Sequence, residues 1–232
     1  MIGARSSVLI LLLASLSLAQ DLPSQPDLDL PIIPEHYDPK NRAPGPIPKP
    51  DGDDARDEPP PVFFGEEIDA ESDSIFYVID FSCSMGRLDR DVKAKTEFAR
   101  SVKALPPSFR FNVVVYSCQL SLWSPVMRKA DTANKAEAVA FVEARHPHSG
   151  TGTGPAVGLA LTTDRQNMSV VLLTDGAPNC GADGAAGHRA MIQNMNTQGA
   201  TINVFGIDAS GEWRAFCQDV AADSGGAYFD VP

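Results

Sequence analysis

The segment Ile75-Phe76-Tyr77-Val78-Ile79-Asp80-Phe81-Ser82-Cys83-Ser84-Met85 passes from five large apolar residues to an aspartate followed by alternating hydroxyl side chains. A short unbroken apolar run suits a strand covered on both faces, the environment of a central strand in a parallel sheet. Asp80, Ser82 and Ser84 then fall two residues apart where the chain leaves the sheet, the end at which such sheets collect ligands. If the backbone curls after Asp80, one carboxylate and two hydroxyls turn toward a common point. Hard cations such as Mg2+ prefer that oxygen set.

Outward from this segment, apolar runs of strand length alternate with helical stretches. Strands are expected over Ile75–Asp80, Phe111–Ser117, Leu120–Trp123, Met168–Thr174, Thr201–Ile207 and Tyr228–Val231. Helices are expected over Gly86–Ala104, Thr132–Ala144, Gly154–Thr162, Ala185–Gln198 and Glu212–Ala222, with Pro106 and Pro107 stopping the first and Gly199 ending the fourth. Leu120–Trp123 follows its predecessor too closely for a helical crossover, so it returns antiparallel at an edge. The pattern predicts an α/β fold: a doubly wound, mainly parallel sheet of about six strands with one antiparallel edge strand and helices on both faces. It contains no internal repeat.

The N-terminal part has a different character. Residues 1–19 carry Arg5, an apolar run from Val8 to Leu18 and small residues Ser17 and Ala19, the layout of a secretory signal cut before Gln20. The run is shorter than the roughly 20 residues of a membrane span, so no span is expected in the mature protein. Twelve of the nineteen prolines lie between Pro23 and Pro61, and residues 21–73 hold 15 acidic against 4 basic side chains. Such a stretch buries too little apolar surface to offset its ordering entropy. Residues 20–73 therefore read as a largely disordered acidic linker, its end tacked down by Val62, Phe63 and Phe64, and residues 74–232 as the globular domain. The formal charge of -11 argues against nucleic acid or anionic lipid as partner, both of which are bound through excess Lys and Arg.

Two further segments hold oxygen donors and glycines at loop-to-helix or strand-to-helix junctions. They are Ser149-Gly150-Thr151-Gly152-Thr153-Gly154 and Thr174-Asp175-Gly176. Taken with Asp80, Ser82 and Ser84, they resemble in order and interval the complete metal-ion-dependent adhesion site of von Willebrand factor A domains. The similarity spans about residues 74–232 and looks closest to exported bacterial members. It implies a Rossmann-like fold and a non-enzymatic, divalent-cation-dependent protein-binding module for adhesion or assembly. Its metal would be Mg2+ (or Mn2+ or Ca2+). Ser82 and Ser84 would coordinate directly, Thr151 would join in the ligand-bound form, and Asp80 and Asp175 would act largely through water. An Asp or Glu of a protein partner would complete the shell. Phe81 and Cys83 depart from the small residues common at the variable positions.

The resemblance also implies a disulfide pattern. In such a sheet the first two long strands are neighbours ending at the metal face, which would bring Cys83 near Cys118, and Cys180 after the fourth strand would neighbour Cys217 in the helix after the fifth, so the implied pairs are Cys83–Cys118 and Cys180–Cys217. An even cysteine count in an exported chain, secreted or extracytoplasmic (periplasm or cell envelope if bacterial), agrees with bridging. Other readings remain open. Asp80 as a phosphohydrolase nucleophile would want a second carboxylate at position 82 and a downstream lysine, yet Ser82 stands there and no lysine follows Lys135. The metal could instead staple loops in a structural envelope or surface protein. Thr153 reads as a helix cap or as an alternative ligand to Thr151. His146, His148, Asn179 and the loop near Asp208 read as flanking residues, and Asn167-Met168-Ser169 fits a glycosylation sequon.

Overall fold

A computed structural model describes residues 60–70, 72–176 and 178–231. The expected signal segment and most of the expected linker lie outside these residues. In chain order the elements are β1 (Val62–Phe63), β2 (Glu66–Glu67), β3 (Ser74–Asp80), a single 3-10 turn (Cys83–Gly86), α1 (Arg90–Ala104), β4 (Arg110–Tyr116), β5 (Leu120–Leu122) and β6 (Arg128–Lys129). They continue with α2 (Thr132–Glu143), α3 (Thr153–Thr163), β7 (Ser169–Thr174), α4 (Gly184–Met195), β8 (Thr201–Ile207), α5 (Gly211–Asp223) and β9 (Tyr228–Val231).

The main sheet runs β5-β4-β3-β7-β8-β9, with β6 also paired to β4. Strands β3, β4, β7, β8 and β9 are parallel, while β5 and β6 lie antiparallel against β4. This is the expected doubly wound sheet, with β5 at the edge as its short connection demands. It has seven strands; β6 is two residues long and leaves no periodic trace in the sequence.

All seven residues of β3 are buried, and alternation divides them between two cores. Ile75, Tyr77 and Ile79 pack with Phe98 and Val102 of α1 and Ala138 and Val142 of α2. Phe76 and Val78 pack on the other face with Ala156, Val157 and Ala160 of α3, Ile192 of α4 and Phe216 and Val220 of α5. A strand apolar at both parities is stable only with cover on both sides, which is why the helices divide between the faces.

Ordered packing begins ahead of Ser74. Phe63 is fully buried, its ring centroid 4.9 Å from that of Phe205 and 5.8 Å from that of Tyr77, and Ile68 and Ala70 are buried with it. The Phe64 N–H donates to the Glu97 carboxylate of α1. Burying one such ring stabilises by about 1.5–3 kcal/mol, enough to hold this short antiparallel pair against the domain. Helix α1 starts four residues later than its sequence pattern implies. Leu88 and Asp89 take φ of 55° and 54°, a left-handed pair that an α-helix cannot contain. Among the described residues no helix is long and apolar enough to cross a membrane.

Candidate functional site

Asp80 ends β3 and Thr174 ends β7, two adjacent parallel strands, so both side chains reach the same edge of the sheet. Asp80 is completely buried. Its Oδ1 accepts the Ser82 N–H at 2.8 Å and its Oδ2 accepts the Thr174 hydroxyl at 2.7 Å, with the Tyr116 hydroxyl 3.5 Å away. The Ser82 contact closes the backbone curl that the sequence requires after Asp80. It leads into the 3-10 turn and sets the Ser82 and Ser84 hydroxyls 3.0 Å apart.

The threonine loop is stitched to this curl. Cys83 N–H donates to the Ser149 carbonyl at 3.0 Å and His148 N–H to the Phe81 carbonyl at 2.9 Å. Gly152 N–H donates to the Ser117 carbonyl at the end of β4 at 3.0 Å. Thr151, 1 % exposed, is thereby carried to the edge where Asp80 stands. Thr153 is the first residue of α3 rather than its cap; Gly152 holds the cap position, and the Thr153 hydroxyl meets the Tyr116 hydroxyl at 3.3 Å.

Asp175 follows Thr174 and is 7 % exposed. Its Oδ2 accepts from Arg90 Nη1 at 3.1 Å, while its Oδ1 is buried without a hydrogen-bond partner. Arg90 also bonds Asp208 Oδ2 through Nε at 2.9 Å and the Ser84 carbonyl at 3.4 Å. Gly176, at φ 87°, turns the chain away against α5, where a Cβ would stand 2.8 Å from the Trp213 carbonyl oxygen. Burial, followed by the nearby Asp175 charge, pushes the Asp80 carboxyl up to about 7, against the lowering effect of its hydrogen bonds. The same burial and carboxylates push the Cys217 thiol up to about 12.

The structure therefore gathers all three oxygen-bearing segments at one end of β3 and β7. Two carboxylates and three hydroxyl residues make this an oxygen site with little anionic charge. Among the described residues no three His, Cys, Asp or Glu side chains cluster to hold a metal. A hollow of about 510 Å3 between α1 and α2 is lined by Lys103, Lys135, Ala136 and Val139, among others, and shares no residue with this cluster.

The expected disulfides are both wrong. Cys118 is bonded to Cys180, with Cα atoms 5.7 Å apart, and Cys83 and Cys217 are free, the first exposed and the second buried. The reason lies in the loop after β7. It folds back over the threonine loop, donating Asn179 N–H and Cys180 N–H to the Thr151 carbonyl at 2.9 and 3.2 Å, and so reaches Cys118 beyond β4. Adjacent strand ends did not decide the pairing; that fold-back did. Asn167 is fully buried with its amide bonded to Ser74 and Ser169, which leaves no acceptor for a glycan there. Arg90, Thr174, Tyr116 and Asn179 as a Thr151 partner were missed. Thr174 had a signal, its place beside Asp175; the others meet their partners only through long-range contacts.

A profile described as "von Willebrand factor type A domain" matches residues 74–230, and the chain belongs to that family. Mouse "Inter alpha-trypsin inhibitor, heavy chain 4" is 28% identical over 181 residues, covering 71% of this chain but 18% of the relative. The chain thus spans about a fifth of the length of that curated relative. An aerotolerance-related membrane protein from Bacteroides fragilis superposes with TM-score 0.55 at 23% identity, covering 68% of this chain and 91% of that one. The vWF domain of the type V pili tip protein Mfa5 from Porphyromonas gingivalis superposes with TM-score 0.56 at 14% identity, covering 68% and 88%. These two likenesses are of fold. The membership shown is in the family as a whole.

Proposed function

We propose that this chain is an exported, divalent-cation-dependent protein-binding module, serving adhesion or assembly, in which Asp80, Ser82, Ser84, Thr151 and Asp175 hold Mg2+ or a related ion. The observation that carries the reading is Asp175 Oδ1, a buried carboxylate oxygen without a partner beside a second buried carboxylate. Buried polar atoms are rarely left unsatisfied, and one here calls for a cation or water that the protein itself does not supply. Hydroxyl donors and oxygen-only chemistry fit Mg2+, Mn2+ or Ca2+ rather than zinc. When bound, such an ion would supply an electrophilic point able to accept a carboxylate from a partner protein. The chain's own residues hold the site rigid: Thr174 and the Ser82 N–H orient Asp80, and Arg90 orients Asp175. The Cys118–Cys180 bridge accords with an oxidising compartment, as export requires.

The phosphohydrolase reading gains nothing. Asp80 is buried with both oxygens engaged, so attack on a phosphoryl group would first have to break those bonds. Thermal melts of the wild-type chain in Mg2+ or Mn2+ and in EDTA test the proposal: cation should raise the melting temperature, and Asp175→Ala should remove the rise. Indistinguishable melts with and without chelator would sink it. Capture from the source's envelope or medium in Mg2+ against EDTA, followed by replacement of acidic residues in the captured protein, tests the carboxylate partner against a metal that only staples loops.

A further inference from the structure

The backbone of Thr151 is held from both sides by one short segment. Its N–H donates to Asn179 Oδ1 at 2.9 Å, and its carbonyl accepts from Asn179 N–H and Cys180 N–H at 2.9 and 3.2 Å. The next residue of that segment's grip is covalent, because Cys180 is bonded to Cys118. Cys118 in turn follows Ser117, whose carbonyl holds Gly152 N–H. The threonine loop therefore lies inside a closed ring of contacts running from the end of β4 through the disulfide to the loop after β7. Its fit is close. A Cβ on Gly150 would stand 2.2 Å from Asn179 Oδ1 and 2.9 Å from Cys118 Sγ, so a side chain there would displace the bridge or the amide.

We propose that Asn179 and the Cys118–Cys180 disulfide form a clamp that positions Thr151 as a cation-site donor, so that the oxidised chain is the binding-competent form. Apart from this segment, the backbone hydrogen bonds that hold residues 149–152 among the described residues are Cys83 N–H to the Ser149 carbonyl, Gly152 N–H to the Ser117 carbonyl and Ala156 N–H, in the first turn of α3, to the Gly152 carbonyl. Without the covalent tie, the segment carrying Asn179 keeps only non-covalent contacts to the loop, and a donor so released loses the preorganisation that a compact ion site needs. The inference rests on the metal-binding reading above and assigns its positioning residues.

Two measurements separate this inference from that reading. The first needs no metal: amide hydrogen exchange in the oxidised chain, in the chain reduced with dithiothreitol and in Cys118→Ser/Cys180→Ser. The Thr151 amide should exchange at least about tenfold faster without the bridge while the β7 amides stay protected, a local opening rather than unfolding. The second is Mn2+ titration by calorimetry well below the melting temperature, including Asn179→Ala, which keeps the disulfide. Mn2+ affinity should fall about tenfold or more in the reduced chain and in both variants, the usual size of an outer-shell effect. Equal affinity in oxidised and reduced chains, or an unchanged Thr151 exchange rate, overturns the clamp. Failure of the oxidised wild type to bind Mn2+ overturns the metal reading itself, whatever the exchange data show.

Discussion

The two ends of β3 bury polar groups in opposite ways. At its start, Ser74 donates to Asn167 Oδ1 at 2.8 Å, Asn167 Nδ2 donates to the Ser169 carbonyl at 2.8 Å, and Met168 N–H reaches the Ser72 hydroxyl at 3.1 Å. These groups are neutral and matched, save for the Ser169 hydroxyl, which has no partner. At its finish, 20 Å or so along an extended strand, two carboxylates share a buried edge, one carboxyl is pushed up to about 7, and Asp175 Oδ1 is unmatched. Each end also has an arginine pair: Arg90–Asp175, 14 % and 6 % exposed, against Arg110–Asp164, 38 % and 19 %. A neutral network satisfied from within stabilises and has nothing further to bind. Charge buried short of partners destabilises the fold, and on the proposed reading a cation would relieve it.

That contrast can be broken first by pH. Asp80 ionises near 3.8 in the unfolded chain and near 7 in the folded one, so its contribution is intact below about pH 4 and is lost as pH rises to about 7. In EDTA this one group should lower stability across that window by up to about 4 kcal/mol, a slope that Mg2+ flattens. Asp80→Asn should abolish both the slope and the response to metal while leaving the metal-free protein more stable at pH 8. Melts of wild type and variant from pH 4 to 8, with and without Mg2+, decide this, and a flat wild-type profile in EDTA would count against a strained carboxylate.

At the opposite end, Asn167→Ala removes the acceptor of the Ser74 hydroxyl, which keeps only its Ser72 contact, and the amide donor to the Ser169 carbonyl, and should cost about 2 kcal/mol. Chemical denaturation should find that loss equal in Mg2+ and EDTA; a metal-dependent loss would mean that the two ends are coupled. Arg90→Gln should cost about 1 kcal/mol in EDTA and less in Mg2+, because on the proposed reading a cation would take over its role beside Asp175. The same loss in both conditions would make Arg90 a structural residue only. Arg110→Gln, whose pair is longer and more exposed, should change stability by a few tenths of a kcal/mol at most, and less at high salt.

The mouse relative and the bacterial folds share little sequence with this chain, yet the parts legible from residues alone are those the family profile covers. β3, β7 and β8 were readable because a fully covered strand must be apolar at both parities, and β5 because the two residues between Ser117 and Leu120 leave no room for a helix. The start of α1 was misplaced because nothing in Gly86-Arg87-Leu88-Asp89 announces two left-handed residues.

The order of residues by itself determined the alternating architecture and the three oxygen-bearing segments of the candidate site, since both follow from local rules of strand burial and junction chemistry. Only the folded chain decided that Cys118 meets Cys180, that Arg90 reaches Asp175 across 85 positions and Asp208 across 118, and that Asn179 grips Thr151. Those contacts depend on how loops from different strands fold back over one another at a shared edge. No local periodicity records that, because no single segment contains both partners.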